Sequence, residues 1–234
     1  MTEKLAPRER KQQIIEAAFK IFREKGYDET SVRDIIDEIG ISKGGFYHHY
    51  SSKEELLEDI AAVMIDGMMR IVEKIVERED LNALEKLNEF IRQVNSYKID
   101  RAEEMTYLMA EMYSGGKNIR LEDKFYQLAR EKMYPLFREI VHQGVEEGIF
   151  ATDYPREAAE FYLDLILIYQ RRMGEILARL MAEKDRSGLE ELKQKYAFLQ
   201  EILTSALKLS EGELVIEEVA LETLERFWQD QVED

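Results

Sequence analysis

The chain has no cysteine in 234 residues, which excludes disulfides, thiolate metal sites and thiol nucleophiles together and fits a reducing compartment. Proline is scarce at 3 and glycine modest at 12, so long stretches run without a helix breaker. No apolar run reaches the ~18 residues of a membrane span, and the first residues carry charges where a secretory signal is apolar. The expectation is a soluble, cytoplasmic protein with no membrane partner. Cations are also short, 33 Lys and Arg against 49 Asp and Glu, a formal charge of -16. Taken whole, that charge opposes a polyanionic partner, because DNA affinity comes largely from neutralising phosphates and releasing their counterions.

The shortage is uneven. Residues 1–53 hold 10 basic and 9 acidic side chains, net +1, whereas 54–234 hold 23 and 40, net -17. The chain divides accordingly into a first domain over 1–53 and a second over 54–234.

What is abundant is helix-forming. Leu, Glu, Lys, Ala, Met and Arg dominate, no segment alternates with period two between hairpin turns, and no 20–50-residue repeat is visible. The fold class is all-α. The pattern predicts helices over 8–25, 32–39, 43–49, 53–79, 81–97, 101–113, 119–147, 156–184, 188–209 and 214–231, with Gly26, Gly40, Gly115-Gly116 and Gly148 at breaks. Pro135 falls inside a helical stretch and is expected to kink or divide it.

The informative run is 30–50. Ser31 stands as a cap with Asp34 three residues on, and Val32, Ile35, Ile36 and Ile39 form one apolar face. Gly40 closes that helix, Ile41 plugs the angle, Ser42 caps a second short helix, and Phe46 and Tyr50 lie four apart on its inner side. This is helix-turn-helix chemistry. The outward set, Lys43, Gly44, Gly45, Tyr47, His48 and His49, contains no carboxylate in an acid-rich chain. Two glycines inside a helix cost roughly 1 kcal/mol each relative to alanine, and close approach of backbone to another surface is a reason to keep them. Ser51-Ser52-Lys53-Glu54-Glu55 then starts a long helix, Ser52 and Glu55 forming its capping box and Lys53 standing in its first turn.

The stretch from Ile14 to Leu57 resembles the DNA-binding domain of TetR-family transcriptional regulators. The match includes Ala17-Ala18, Phe22, Gly26-Tyr27, Thr30-Ser31-Val32, Ile35, Gly40-Ile41-Ser42-Lys43-Gly44, Phe46-Tyr47, His49-Tyr50, Lys53-Glu54 and Leu56. The resemblance implies that Ser31, Tyr47, His49 and Lys53 meet DNA phosphates. It implies that Arg33, Lys43, Gly44 and Gly45 approach base edges, with Ser42 capping the reading helix. Two positions depart from the family pattern: Ile36 stands where alanine is usual, and Gly45 where a small polar residue is common, so Gly45 offers no side chain to a base.

The resemblance also implies that the first domain is a three-helix head and the rest a larger helical ligand-binding and dimerisation domain. Pro135-Leu136, Ile140, Gly144 and Gly148-Ile149-Phe150, followed by Pro155, look like the family's central helix and the loop after it. Nine of ten methionines lie between Met64 and Met181, and Met105, Met109 and Met112 share a stripe with Leu108. Methionine fills adaptable cavities. With Tyr113, Phe137, Tyr162 and Tyr169 they are the candidate lining of a pocket for a small organic effector, apolar or cationic. Residues 161–169 are apolar almost all round their helix, which predicts burial against a second subunit as well as the chain's own core. Asp164 within them needs a partner, and Arg171 or Arg172 is nearby in sequence; the alternative is that Asp164 lines the pocket.

The expectation is a homodimeric, non-enzymatic repressor that binds a palindromic operator in double-stranded DNA, is released by its effector, and needs no cofactor or metal. Two readings compete with it. A helical enzyme or metal-binding bundle with a vestigial helix-turn-helix has in its favour Glu139-x-x-His142, a spacing used twice in di-iron bundles but present once here. A helical protein-interaction module predicts no DNA binding at low salt.

Overall fold

The computed structural model describes residues 7–101, 119–183 and 187–222. Among them every regular element is helical: α1 (Pro7–Lys25), α2 (Val32–Ile39), α3 (Lys43–Tyr47), α4 (Lys53–Val76), α5 (Ala83–Asp100), α6 (Ile119–Glu146), α7 (Pro155–Glu183) and α8 (Ser187–Leu207). A further helical stretch covers 216–222. No helix among the described residues is long and apolar enough to cross a membrane. The chain divides into two compact units, Met1–Met64 and Ile65–Asp234.

In the first unit α1 contacts α2, and α2 contacts α3. Ile14, Ala18 and Phe22 of α1, Ile35, Phe46 and Leu56 are all fully buried. They supply one face each, at the helical spacings that place side chains on the same side. Val63, by contrast, is exposed.

The core of the second unit joins Met69 and Val72 of α4, Leu87 and Phe90 of α5, Phe137 and Ile140 of α6, Leu163 and Leu167 of α7, and Leu199 and Leu203 of α8. In it α6 packs on α7, α7 on α8 and α5 on α6. Pro135 does not divide α6, which runs unbroken through it. The proline is exposed, so its missing amide lies where water serves the freed carbonyl. At the end of α6, Gly148 takes φ +71°, and the amides of Ile149 and Phe150 donate to the Gly144 carbonyl at 2.8 and 2.9 Å. That turn folds the buried Phe150 ring back over Gly144.

Buried Lys86 donates from Nζ to the Val76 carbonyl at 2.7 Å, capping the C-terminus of α4. Asp164 is paired across helices, not along its own. It accepts from Arg130 Nε at 2.7 Å and the Tyr126 hydroxyl at 3.2 Å. Arg171 and Arg172, two turns further along α7, reach Glu175 instead, which corrects the expected partner. His142 is exposed and lies 3.4 Å from Glu146 on its own helix. Among the described residues no group of three His, Asp or Glu side chains is placed to hold a metal ion.

Candidate nucleic-acid interface

Both short helices are capped as their sequences require. Ser31 is extended at φ -94°, ψ 159°; its Oγ accepts from the Asp34 amide at 3.2 Å, and its own amide donates to Asp34 Oδ2 at 2.8 Å. Lys25 Nζ lies 2.7 Å from the same carboxylate. Lys25 first, and Ser31 after it, hold the Asp34 carboxyl well below the usual range. Gly40 ends α2 in the left-handed region at φ +71°, its amide donating to Ile36 O at 2.9 Å, a conformation that favours glycine. Ser42 caps α3, accepting from the Gly45 amide at 3.0 Å. The helix is shorter than the expected 43–49: it ends at Tyr47, and the amides of His49 and Tyr50 turn back onto the Phe46 carbonyl.

This geometry leaves Arg33, Lys43, Gly44, Tyr47 and His48 exposed, along with the caps Ser31 and Ser42, while Gly45 and His49 are partly covered. Arg33 reaches only to Asp37, 3.5 Å away one turn along, with most of its side chain in solvent. Lys43 Nζ lies 5.8 Å from the centre of the Tyr47 ring. A Cβ built on Gly44 or Gly45 meets nothing nearer than the Ser42 hydroxyl, at 3.9 and 3.4 Å. Packing inside the unit therefore gives neither glycine a reason. Ile36, the other departure from the family pattern, is half-buried.

Lys53 departs from its expected setting. Its ammonium donates to the backbone carbonyls of Tyr27 and Thr30, the second at 2.9 Å, and sits 4.0 Å from the centre of the Tyr27 ring. Two of its three N–H groups are thus engaged in closing the α1–α2 loop. The helix start it belongs to is also shifted by one residue from the expected box. Ser52 accepts from the Glu55 amide at 3.1 Å, but the Glu55 carboxylate reaches back to Ser51, accepting from its amide at 2.7 Å and its hydroxyl at 2.6 Å.

A second anchor escaped sequence reasoning entirely. The buried Tyr50 hydroxyl donates to Asp59 at 2.6 Å, and Lys11 of α1 lies 2.9 Å from the same carboxylate. Burial, then the Asp59 hydrogen bond and charge, push the Tyr50 phenol far above its ordinary range, so it remains a donor. Asp59 thereby ties the end of the helix-turn-helix to α4 and α1, across 9 and 48 residues of chain.

The expected pocket residues fare unevenly. Met105, Met109, Met112 and Tyr113 lie outside the described residues. Phe137 and Tyr162 line a narrow apolar cleft of the second unit, with a volume of about 60 Å³. Tyr169 is not part of that lining; its ring stacks obliquely 6.1 Å from Phe198. The remaining walls come largely from α5 and α8, including Phe90, Asn95, Tyr196 and Leu203, with Ile166 and Met173 of α7 and Leu214 and Ile216 beyond α8 completing them. The Leu87, Phe90, Ile91, Val94 stripe on α5 was the available signal for them.

Comparison with known proteins gives the same outline. Residues 14–60 match the model of bacterial regulatory proteins of the tetR family. Over 164 residues the chain is 30% identical to the HTH-type transcriptional repressor KstR2 of Mycobacterium tuberculosis, covering 69% of this chain and 74% of that protein. It is 29% identical to the uncharacterized HTH-type transcriptional regulator YfiR of Bacillus subtilis over 67% of this chain and 76% of that one. The crystal structure of a bacterial regulatory protein in the tetR family from Rhodococcus superposes with a TM-score of 0.55 at 20% identity, covering 90% of this chain and all of the other. That last likeness is one of fold.

Proposed function

Because the chain belongs to the TetR family of bacterial regulatory proteins and is a DNA-binding transcriptional regulator, we propose that it is a homodimeric repressor released from a palindromic operator by a small molecule. The observation that carries the DNA half of this reading is the carboxylate-free outer face of α3. There Lys43, Gly44, Gly45 and Tyr47 stand together, and the glycines have no packing role inside the protomer. Arg33 and Lys43 read base edges, as cations suited to guanine O6 and N7. Ser31, Tyr47 and His49 hold phosphates, and the remaining N–H of Lys53 is available to one more. Ser42 sets the start of the reading helix, and Gly44 and Gly45 let its backbone come close.

The dimer is supported by apolar surface on α7 and α8. Phe161 is 59% exposed, Ile168 51% and Phe198 49%, although Tyr162, Leu163 and Leu167 of the same stretch are buried. Large apolar side chains left open on neighbouring helices mark an interaction site. A two-fold dimer puts its heads in successive major grooves about 34 Å apart, which makes the operator palindromic. Effector binding then favours a conformation that fits the operator less well, for which a coupling free energy of ~1–3 kcal/mol suffices. Selection of bound duplexes from random DNA tests the proposal. Two inverted half-sites at that spacing are expected, and recovery of an unenriched pool contradicts it.

His49 adds a pH dependence. Burial first, then the charges of His48, Lys11 and Arg10, lower its pKa below the ordinary 6.5, so the free protein carries it neutral at pH 7. A phosphate beside it favours the imidazolium and raises that pKa in the complex, so binding takes up a proton. Affinity therefore increases as pH falls through the interval between the lowered free value and the higher bound one. Anisotropy titrations from about pH 8 to about pH 5.5 should show this gain, and His49→Gln should flatten it; an unchanged slope in the variant contradicts the phosphate contact.

A further inference from the structure

The cleft of the second unit has a chemistry more specific than apolar. Its described walls are hydrocarbon and aromatic, with Phe90, Phe137, Ile166 and Leu203 among them, and they include no charged side chain. Three polar side chains interrupt them. Tyr162 is 5% exposed, and its hydroxyl has no hydrogen-bond partner among the described residues. The Tyr196 hydroxyl has none either. Asn95 commits its amide nitrogen to the Ile91 carbonyl at 2.8 Å, and among the described residues its side-chain oxygen has no donor, which leaves it as an acceptor.

Each of these facts limits the occupant. A buried hydroxyl with no partner among the described residues has given up solvation that a ligand acceptor recovers. Burial raises both phenols, that of Tyr196 to about 12, so both present a proton and neither presents a charge. Among the described residues a cation placed here finds no carboxylate and an anion finds no basic group, so either gives up its hydration without compensation. The acidic surface of the chain favours cations in its surroundings, but the lining of the cleft does not.

We infer that this cleft takes an uncharged, largely apolar organic molecule whose hydrogen-bond acceptor, a carbonyl or ether oxygen, is held by the hydroxyls of Tyr162 and Tyr196. A donor on the same molecule is met by the Asn95 oxygen. The inference deepens the ligand-release reading and rests on it for its regulatory meaning, though binding itself is tested separately.

The test uses the full chain and four probes with one carbon frame: 4-phenylbutan-2-one, butylbenzene, 4-phenylbutylamine and 4-phenylbutanoate. Calorimetry should show the ketone binding most tightly, the hydrocarbon more weakly, and the ammonium and carboxylate weakest. The Tyr162→Phe, Tyr196→Phe double variant should lose roughly tenfold in ketone affinity, the order expected for two modest hydrogen bonds, while its butylbenzene affinity stays the same or rises. Phenylalanine keeps the ring, so the fold is preserved. No binding by any probe, or binding of the ammonium or the carboxylate as tight as that of the ketone, overturns the inference, as does equal loss for ketone and hydrocarbon. Release of DNA is read alongside. A ketone that binds as described without weakening DNA binding supports the cleft chemistry and counts against ligand release; an ammonium that binds and releases DNA does the reverse.

Discussion

Replacing Gly144 with alanine should lower the melting temperature of the second unit by roughly 4–12 °C, from an overpacking cost of about 2–3 kcal/mol. The new methyl has nowhere to go. A Cβ on Gly144 falls 2.1 Å from one carbon of the Phe150 ring and 2.4 Å from another. The ring cannot easily retreat, since Phe150 is 2% exposed and its amide is bound to the Gly144 carbonyl. The remedy is diagnostic. Phe150→Ala alone should cost about 3–5 kcal/mol, and the double variant should cost clearly less than the sum of the two, because the methyl then occupies space the ring has left. Melts that are strictly additive, or a Gly144→Ala protein as stable as the parent, would show that the two residues do not meet as described.

Lys53→Met is expected to act twice, on the stability of the head and on DNA of every sequence. The substitution leaves the Tyr27 and Thr30 carbonyls without their charged donor. Hydrogen bonds to charged groups contribute about 1.5–3 kcal/mol each when buried, and because this pair is part-buried, a loss of about 2–4 kcal/mol is the reasonable expectation. DNA binding should fall alike on operator and random duplex, as the loop that positions α2 loosens and one phosphate contact goes. Thermal melts distinguish the two roles. A residue that only clamped phosphate would leave the free protein's melt untouched and lower the salt slope by about 0.9. An unchanged melt would therefore refute the structural role.

Much of the head was legible in the sequence because its determinants are local. Ser31 with Asp34, Gly40 and Ser42 act within four residues, and their caps and turns follow from side-chain chemistry and glycine's tolerance of positive φ. The same holds for the described helices of the second unit, whose bounds follow their apolar stripes and breakers; the expected helix over 101–113 lies outside the described residues. What sequence could not supply is pairing between elements distant along the chain. Lys53 looked like a free cation in a first turn, and its carbonyl partners lie 26 and 23 residues away. Asp59 gave no sign that it would collect Tyr50 and Lys11. Asp164 found Arg130 on the adjoining helix, although two arginines lay nearer in sequence. The cleft shows the limit from the other side: methionine and tyrosine content drew attention to 105–113, whereas its described walls come largely from α5 and α8, whose Leu and Phe stripes resemble any buried face.

The net charge reads differently after this. The deficit of cations is confined to residues 54–234, the part with no proposed contact to DNA, and on the proposed reading its repulsion would disfavour a duplex there. Binding should stay salt-sensitive despite the acidic isoelectric point.

The most direct test is the ratio of affinities for the selected operator and a scrambled duplex of equal length at one fixed salt concentration, for the parent chain, Arg33→Ala and Lys43→Ala. The parent should prefer the operator by at least about 1,000-fold. Either substitution should reduce that ratio by roughly 10-fold or more, the loss of one base contact, with much less effect on the scrambled duplex. A parent protein that binds both duplexes equally, or variants that lose affinity for both in equal measure, would contradict the assignment of this face to sequence reading.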